Sequence, residues 1–381
     1  MNPIRLTPIR HGFHPCDISG YDRAAAEAAR RFHCGLPGYA ATPLHDLAGL
    51  ASALGVKGFL VKDESPRFGL NAFKALGGSY AIGSLLKDAP QTFVTATDGN
   101  HGRGVAWAAR VLGQRAVVYM PRGSAAERLE NIRAQGAEAH MLDVPYDDAV
   151  RYARDQALSN GWTLVQDTAW PGYTEIPRRI MQGYTTMGLE ILEALGDRRP
   201  THVFLQAGVG AMAGAMAAFF ANVYGEDRPK VIVVEPFTAD CIFRTAQAND
   251  GALHCCDGEH MRTIMAGLCC GEPCTIAWDI LRDYADFALA MPDAAAATGM
   301  RVLGNPLPGD PGIISGESGA SGVGAAFALL TEPDCAAQRR LIGLDGDSVV
   351  LAISTEGDTD RQSYRDIVWR GKHPGIGGGD L

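Results

Sequence analysis

Thr92-Phe93-Val94-Thr95-Ala96-Thr97-Asp98-Gly99-Asn100-His101-Gly102 is the stretch that decides the fold. A β-branched and aromatic run, Thr92 to Thr97, passes through a glycine-punctuated turn into an alanine-rich helical stretch from Gly102 to Leu112, the pattern of a β-α unit. The same alternation recurs on both sides. Strands are expected at Gly58 to Lys62, Ala116 to Met120, Glu138 to Leu142, Thr201 to Leu205, Lys230 to Glu235 and Val349 to Ser354. Helices are expected at Ala125 to Gln135, Asp147 to Asn160 and Ala213 to Tyr224, each closing near Gly or Asn. The fold class is therefore α/β with parallel-rich sheets. Most of these strands are too apolar to lie half exposed, so helices should cover both faces.

A chain of 381 residues, 46% hydrophobic and 20% charged, can bury a substantial core, in two domains or one large one. Its net charge of -9 opposes nucleic acid and anionic membrane as partners, and points to a small-molecule ligand. No run approaches the ~20 apolar residues of a bilayer span, and no signal-peptide core follows Arg5 and Arg10, so a cytoplasmic location is expected. The 9 cysteines contain no C-x-x-C and read as reduced thiols; Cys241 with Cys269 or Cys270 is the pairing to check. No cluster has metal-ligand spacing, so no catalytic metal is expected. The glycine-rich tail from Gly375 to Leu381 should be mobile.

Three turns carry chemistry. In Lys62-Asp63-Glu64-Ser65-Pro66-Arg67-Phe68-Gly69-Leu70-Asn71-Ala72-Phe73-Lys74 a strand end leads through a loop to a lysine at a helix start. There the helix dipole disfavours the ammonium form and favours a nucleophilic amine. Taken alone, Lys74 reads as an ordinary solvated lysine. In the second turn, Gly99 and its neighbours can present backbone N–H groups to a carboxylate while the Asn100 amide donates to an oxygen. Asp98 either caps the helix or transfers protons. The third turn, Gly208-Val209-Gly210-Ala211-Met212-Ala213-Gly214, opens an alanine-rich helix and suits a phosphate. Its spacing also fits a dinucleotide site, with Glu235 as the ribose acid.

Together, in this order, Asn71-Ala72-Phe73-Lys74, Asp98-Gly99-Asn100-His101-Gly102 and the Gly208 turn resemble the fold-type-II, tryptophan-synthase-β-like family of pyridoxal 5′-phosphate (PLP) enzymes. That family includes the serine and threonine dehydratases. Longer strings are similar to those of the diaminopropionate ammonia-lyases. They are Asp98-Gly99-Asn100-His101-Gly102-Arg103-Gly104-Val105-Ala106-Trp107, Gln166-Asp167-Thr168-Ala169-Trp170-Pro171-Gly172-Tyr173, Ile180-Met181-Gln182-Gly183-Tyr184, Met265-Ala266-Gly267-Leu268 with Gly271-Glu272-Pro273, and Ser354-Thr355-Glu356-Gly357-Asp358-Thr359.

The resemblance implies PLP as cofactor in a cleft between two domains. Residues 1–91 with 178–381 would form the larger domain, and 92–177 a smaller inserted one carrying the asparagine loop. It implies that Lys74 holds the cofactor as a Schiff base, that Phe73 packs beside the pyridine ring, and that Asn100 bonds the 3′ oxygen. Gly208, Val209, Gly210, Ala211 and Met212 would hold the phosphate. Glu317, in Gly316-Glu317-Ser318-Gly319-Ala320, and Thr355 would lie near the ring, with Ser354 the rival of Thr355 at the ring nitrogen. Asp98 and Asp167 would line the substrate site, Asp98 taking the α proton of a D isomer and Lys74 that of an L isomer. His101 reads as structural, and Trp107 and Trp170 as core or pocket wall. The implied reaction is α,β-elimination of 2,3-diaminopropionate to pyruvate and ammonia by a homodimer; the alternative is a serine or threonine dehydratase of the same fold type.

Overall fold

In the computed structural model, which describes residues 4–12, 15–97 and 99–375, the described residues form eleven strands in two sheets. In chain order the strands are β1 (Arg5–Pro8), β2 (Leu44–Asp46), β3 (Gly58–Asp63), β4 (Thr92–Ala96), β5 (Arg115–Met120), β6 (Glu138–Met141), β7 (Thr163–Leu164), β8 (His202–Gln206), β9 (Lys230–Pro236), β10 (Phe287–Met291) and β11 (Val349–Ser354). The larger sheet runs β1-β10-β9-β8-β11-β3-β2 and the smaller β6-β5-β4-β7. Every pair in the smaller sheet is parallel. In the larger, only the edge strands β1 and β2 run antiparallel to their neighbours.

All seven expected strands are present. The four that sequence reading missed are β1, β2, β7 and β10. Three are too short to show a period, and Phe287-Ala288-Leu289-Ala290-Met291 has an alanine content that reads as helix as readily as strand.

Strand β8 is buried throughout, with Val203 and Leu205 in one core and Phe204 in the other, so the larger sheet is covered on both faces. The core containing Val203 also takes in Phe93 and Val118 of the smaller sheet. It is filled by helices Ala75–Ser84, Asn100–Val111 and Glu175–Leu195. Glycines let these helices touch backbone to backbone. A Cβ on Gly104 would stand 3.0 Å from Ala75 Cα, and one on Gly183 would stand 2.6 Å from the Leu76 carbonyl oxygen.

Beneath the loop after β3 lies a fully buried ionic cluster. Lys62 Nζ donates to Glu190 Oε2 and to the Thr42 carbonyl oxygen, both at 2.6 Å. Arg67 joins Glu64 at 2.8 Å and Glu190 at 2.7 Å. The side chains of all four are 0–1% exposed. This cluster fastens the chain leading to Lys74 onto helix Glu175–Leu195.

All nine cysteines are free thiols, so Cys241 pairs with neither Cys269 nor Cys270. Among the described residues no helix is long and apolar enough to cross a membrane. Residues 376–381 of the expected mobile tail lie outside the described residues.

Candidate active site

The segments that follow β3, β4, β7, β8 and β11 meet around one cavity, outside the carboxyl ends of the parallel strands. Phe73, Lys74, Asn100, Asp167, the turn from Gly208 to Met212 and Thr355 all line it. Three turns far apart in sequence are thus brought to one place. Asp98 lies outside the described residues.

Lys74 is the residue immediately before helix Ala75–Ser84. The loop reaches it through two non-glycine residues of positive φ, Phe68 at 52° and Asn71 at 57°. Asn71 tolerates that conformation because its side chain donates to Asp358 Oδ1 at 3.0 Å and its carbonyl accepts from Gly357 N at 3.1 Å. Phe73 N donates to the Thr355 carbonyl oxygen at 3.1 Å, which stitches the lysine loop to the end of β11. The Phe73 ring packs on Tyr184, centroids 4.8 Å apart.

The Lys74 amine donates to Asp167 Oδ2. Its side chain is 21% exposed and that of Asp167 6%. His101, expected to be only structural, also stands in the cavity wall, with Nδ1 3.8 Å from the same oxygen. Its Nε2 lies 2.8 Å from the Val165 carbonyl oxygen, a contact that requires Nε2 to carry the proton. Burial by itself would raise the Asp167 carboxyl, but the charges of His101 and Lys74 and the lysine hydrogen bond bring it down to about 2. Asp167 is therefore anionic at neutral pH.

Asn100 is the first residue of its helix, and Gly99 before it has φ 152° and ψ -66°, open only to glycine. Thr97 Oγ1 accepts from Gly99 N at 2.9 Å and Gly102 N at 3.1 Å, fixing the turn. The Asn100 amide donates to Glu356 Oε2, leaving its second N–H for another acceptor. Glu356 also accepts from Thr359 Oγ1 at 3.2 Å and Ser318 N at 3.2 Å.

The glycine turn lines the same cavity. Gly210 has φ 95° and precedes helix Ala211–Tyr224. A Cβ on Gly208 would stand 3.1 Å from Cys270 Sγ and from the Gly267 carbonyl oxygen, so the cup closes around bare backbone. A helix N-terminus without acidic residues in its first turn suits an anion. The dinucleotide alternative does not fit, because Glu235 is fully buried and its two oxygens accept from Ile242 N at 2.8 Å and Phe243 N at 2.7 Å. It caps the next helix and cannot reach a ribose.

Of the ring residues, Thr355 faces the cavity, whereas Ser354 turns to Ser315 Oγ at 2.8 Å and is fully buried. Glu317 is not in the wall. Its carboxylate receives the Ser363 hydroxyl, and Glu356 reaches the cavity instead. In the turn from 317 to 320, Ser318 faces the cavity while Glu317 does not. Trp107 packs on Phe68 at 4.5 Å and Trp170 stacks on Tyr173 at 4.5 Å, both outside the cavity lining.

Sequence reading missed Gln206, Tyr146 and Glu356, all of which line the cavity. Gln206 had a signal, as a polar residue closing an apolar strand next to a glycine turn. The donor set fits PLP: an amine for its aldehyde, a glycine-rich helix N-terminus for its phosphate, an amide for its phenolic oxygen and a hydroxyl for its ring nitrogen.

Residues 36–354 match the family model described as pyridoxal-phosphate dependent enzyme. The diaminopropionate ammonia-lyase of Escherichia coli K12 is 50% identical over 374 residues, covering 93% of this chain and 93% of its own. The crystal structure of diaminopropionate ammonia lyase from Escherichia coli in complex with an aminoacrylate-PLP azomethine reaction intermediate superposes with a TM-score of 0.91 at 48% identity, covering 98% of each chain. An L-threonine dehydratase of Pasteurella multocida is 28% identical, over 54% of this chain and 38% of its own. Site geometry and comparisons agree: the chain belongs to the pyridoxal-phosphate dependent enzymes and, among them, to the diaminopropionate ammonia-lyase family.

Proposed function

We propose that this chain catalyses the α,β-elimination of 2,3-diaminopropionate to pyruvate and ammonia, with PLP as cofactor. The observation that carries the reading is the Lys74–Asp167 pair sharing one cavity with the glycine cup. A hydroxy amino acid brings one ammonium to the site; a diamino acid brings two. An aspartate kept anionic beside the lysine can pair with that second ammonium.

When bound, PLP supplies the electron sink for the negative charge left at the substrate α-carbon. Lys74 holds it covalently through Nζ, Gly208 to Met212 cradle the phosphate, Asn100 donates to the phenolic oxygen, Phe73 packs against the ring and Thr355 donates to the ring nitrogen. Glu356 orients Asn100, while Glu317 supports the Ser318 loop from outside. Lys74 Nζ, freed once the substrate's α-amino group has taken its place, takes the α proton of the L isomer, and the Asp98 carboxylate that of the D isomer. Asp167 pairs with the β-ammonium, which departs as neutral ammonia with the C–N bonding pair. Residues 92–177, which contain all four strands of the smaller sheet, act as the smaller domain that closes over the substrate and excludes water. The enzyme works as a cytoplasmic homodimer on a small amino acid.

Pyruvate and ammonia release from D- and L-diaminopropionate and from serine, by wild type and Asp98→Asn, tests this. Wild type should prefer diaminopropionate, and Asp98→Asn should lose about 10²-fold or more on the D isomer only. A preference for serine would overturn the substrate; equal loss on both isomers would overturn the division of the two bases.

A further inference from the structure

One buried amide has no place in that scheme. Gln206 closes β8, is 3% exposed and lines the cavity. Its Nε2 stands 2.8 Å from the Ile353 carbonyl oxygen, 3.0 Å from Ser318 O, 3.2 Å from Gly319 O and 3.1 Å from Thr355 Oγ1. Its Oε1 is buried with no hydrogen-bond partner. Only the N–H end of an amide can face three carbonyl oxygens, so the orientation is fixed by its surroundings. Leaving Oε1 bare in the interior is unfavourable, and such groups in native folds call for a functional account.

Thr355 Oγ1 therefore accepts from Gln206. No other described residue takes the threonine's own proton as a hydrogen-bond acceptor. A hydroxyl that accepts from one side donates on the other, and Thr355 is in the cavity wall. We propose that Gln206 is a positioning residue, which sets the Thr355 hydroxyl as a donor toward the ring nitrogen of the bound cofactor and so keeps that nitrogen unprotonated. The inference rests on the assignment of Thr355 made above. It explains why a buried amide stands where an apolar side chain would pack without an orphaned oxygen. It also gives the protein control of the cofactor's electron demand without a charged residue at the ring.

The test is a double-mutant cycle of Gln206→Met and Thr355→Val on protein reconstituted with PLP. It reads the PLP dissociation constant, the pH titration of the cofactor absorption band and Tm. Either single change should weaken PLP binding by up to about tenfold, the worth of one hydrogen bond, and shift the titration. Gln206→Met should then add nothing in the Thr355→Val background. An undiminished effect in that background, or a fall in Tm with the titration unmoved, overturns the positioning role while Thr355 keeps its place. An inert Thr355→Val overturns the assignment of Thr355 itself, and the inference with it. Should Gln206→Met fail to fold, Gln206→Asn serves, since it keeps the donor but withdraws it by one methylene.

Discussion

Two lysines twelve positions apart each pair with a carboxylate, and they do opposite work. Lys62 is sealed in the cluster with Glu64, Arg67 and Glu190, where every charge has several partners and no solvent reaches. Lys74 meets Asp167 at the wall of an open cavity. The same charge pair thus serves as a fastener when its donors and acceptors are all used and, on the function proposed above, as reactive machinery when some stay exposed to a ligand. Removing one partner from the first leaves an uncompensated buried charge; removing one from the second leaves a hole in the chemistry.

The sharpest way to break this comparison is to exchange the readouts. Lys74→Ala should lower kcat/KM by at least about 10³-fold, measured by pyruvate release, and should cost less in Tm than any change at Lys62. Lys62→Met should do the reverse, destabilising by about 3–5 kcal/mol in denaturant unfolding while the folded fraction keeps its kcat. If Lys62→Met lost activity at full stability, the fastener reading would fail.

A smaller effect concerns acid. Burial would raise both carboxyls, but Arg67 with Lys62 brings Glu190 down to about 2, and His101 with Lys74 does the same for Asp167. A depressed carboxyl stabilises the fold fully above its unfolded value of about 4 and loses that contribution as pH falls through its folded value. Both pairs should therefore weaken between about pH 4 and pH 2. Asp167→Asn should flatten part of that loss, seen as a shallower fall of Tm with acid, and should leave the slope above about pH 5 unchanged.

Sequence made the cavity lysine easier to find than the buried one. Lys74, Asn100 and the Gly208 turn stand at glycine-marked junctions of strand and helix, where local geometry is written in residue type. Nothing local marks Lys62 as buried, since its partner Glu190 comes from a helix 128 residues away. The same holds for Gln206 and Glu356, whose roles depend on which carbonyls and amides the fold brings to them. Glu317 was misplaced for a related reason: sequence located the loop, but not the face each side chain would take. The central parallel strands other than β10 were legible because burial on both faces leaves continuous apolar runs. The edge strands β1 and β2 were not, because a run of three or four residues shows no period and its partner supplies the pairing.

The bare-backbone crossings at Gly104 and Gly183 carry a mechanical consequence. Side chains between helices act as cushions that swallow small displacements by changing rotamer. Where main chain rests on main chain, as beside Ala75 and Leu76, there is no such cushion. A push on helix Glu175–Leu195 is passed undamped to the start of the helix that carries Lys74, so the tolerance on the amine's position is set by rigid contact one and two residues away.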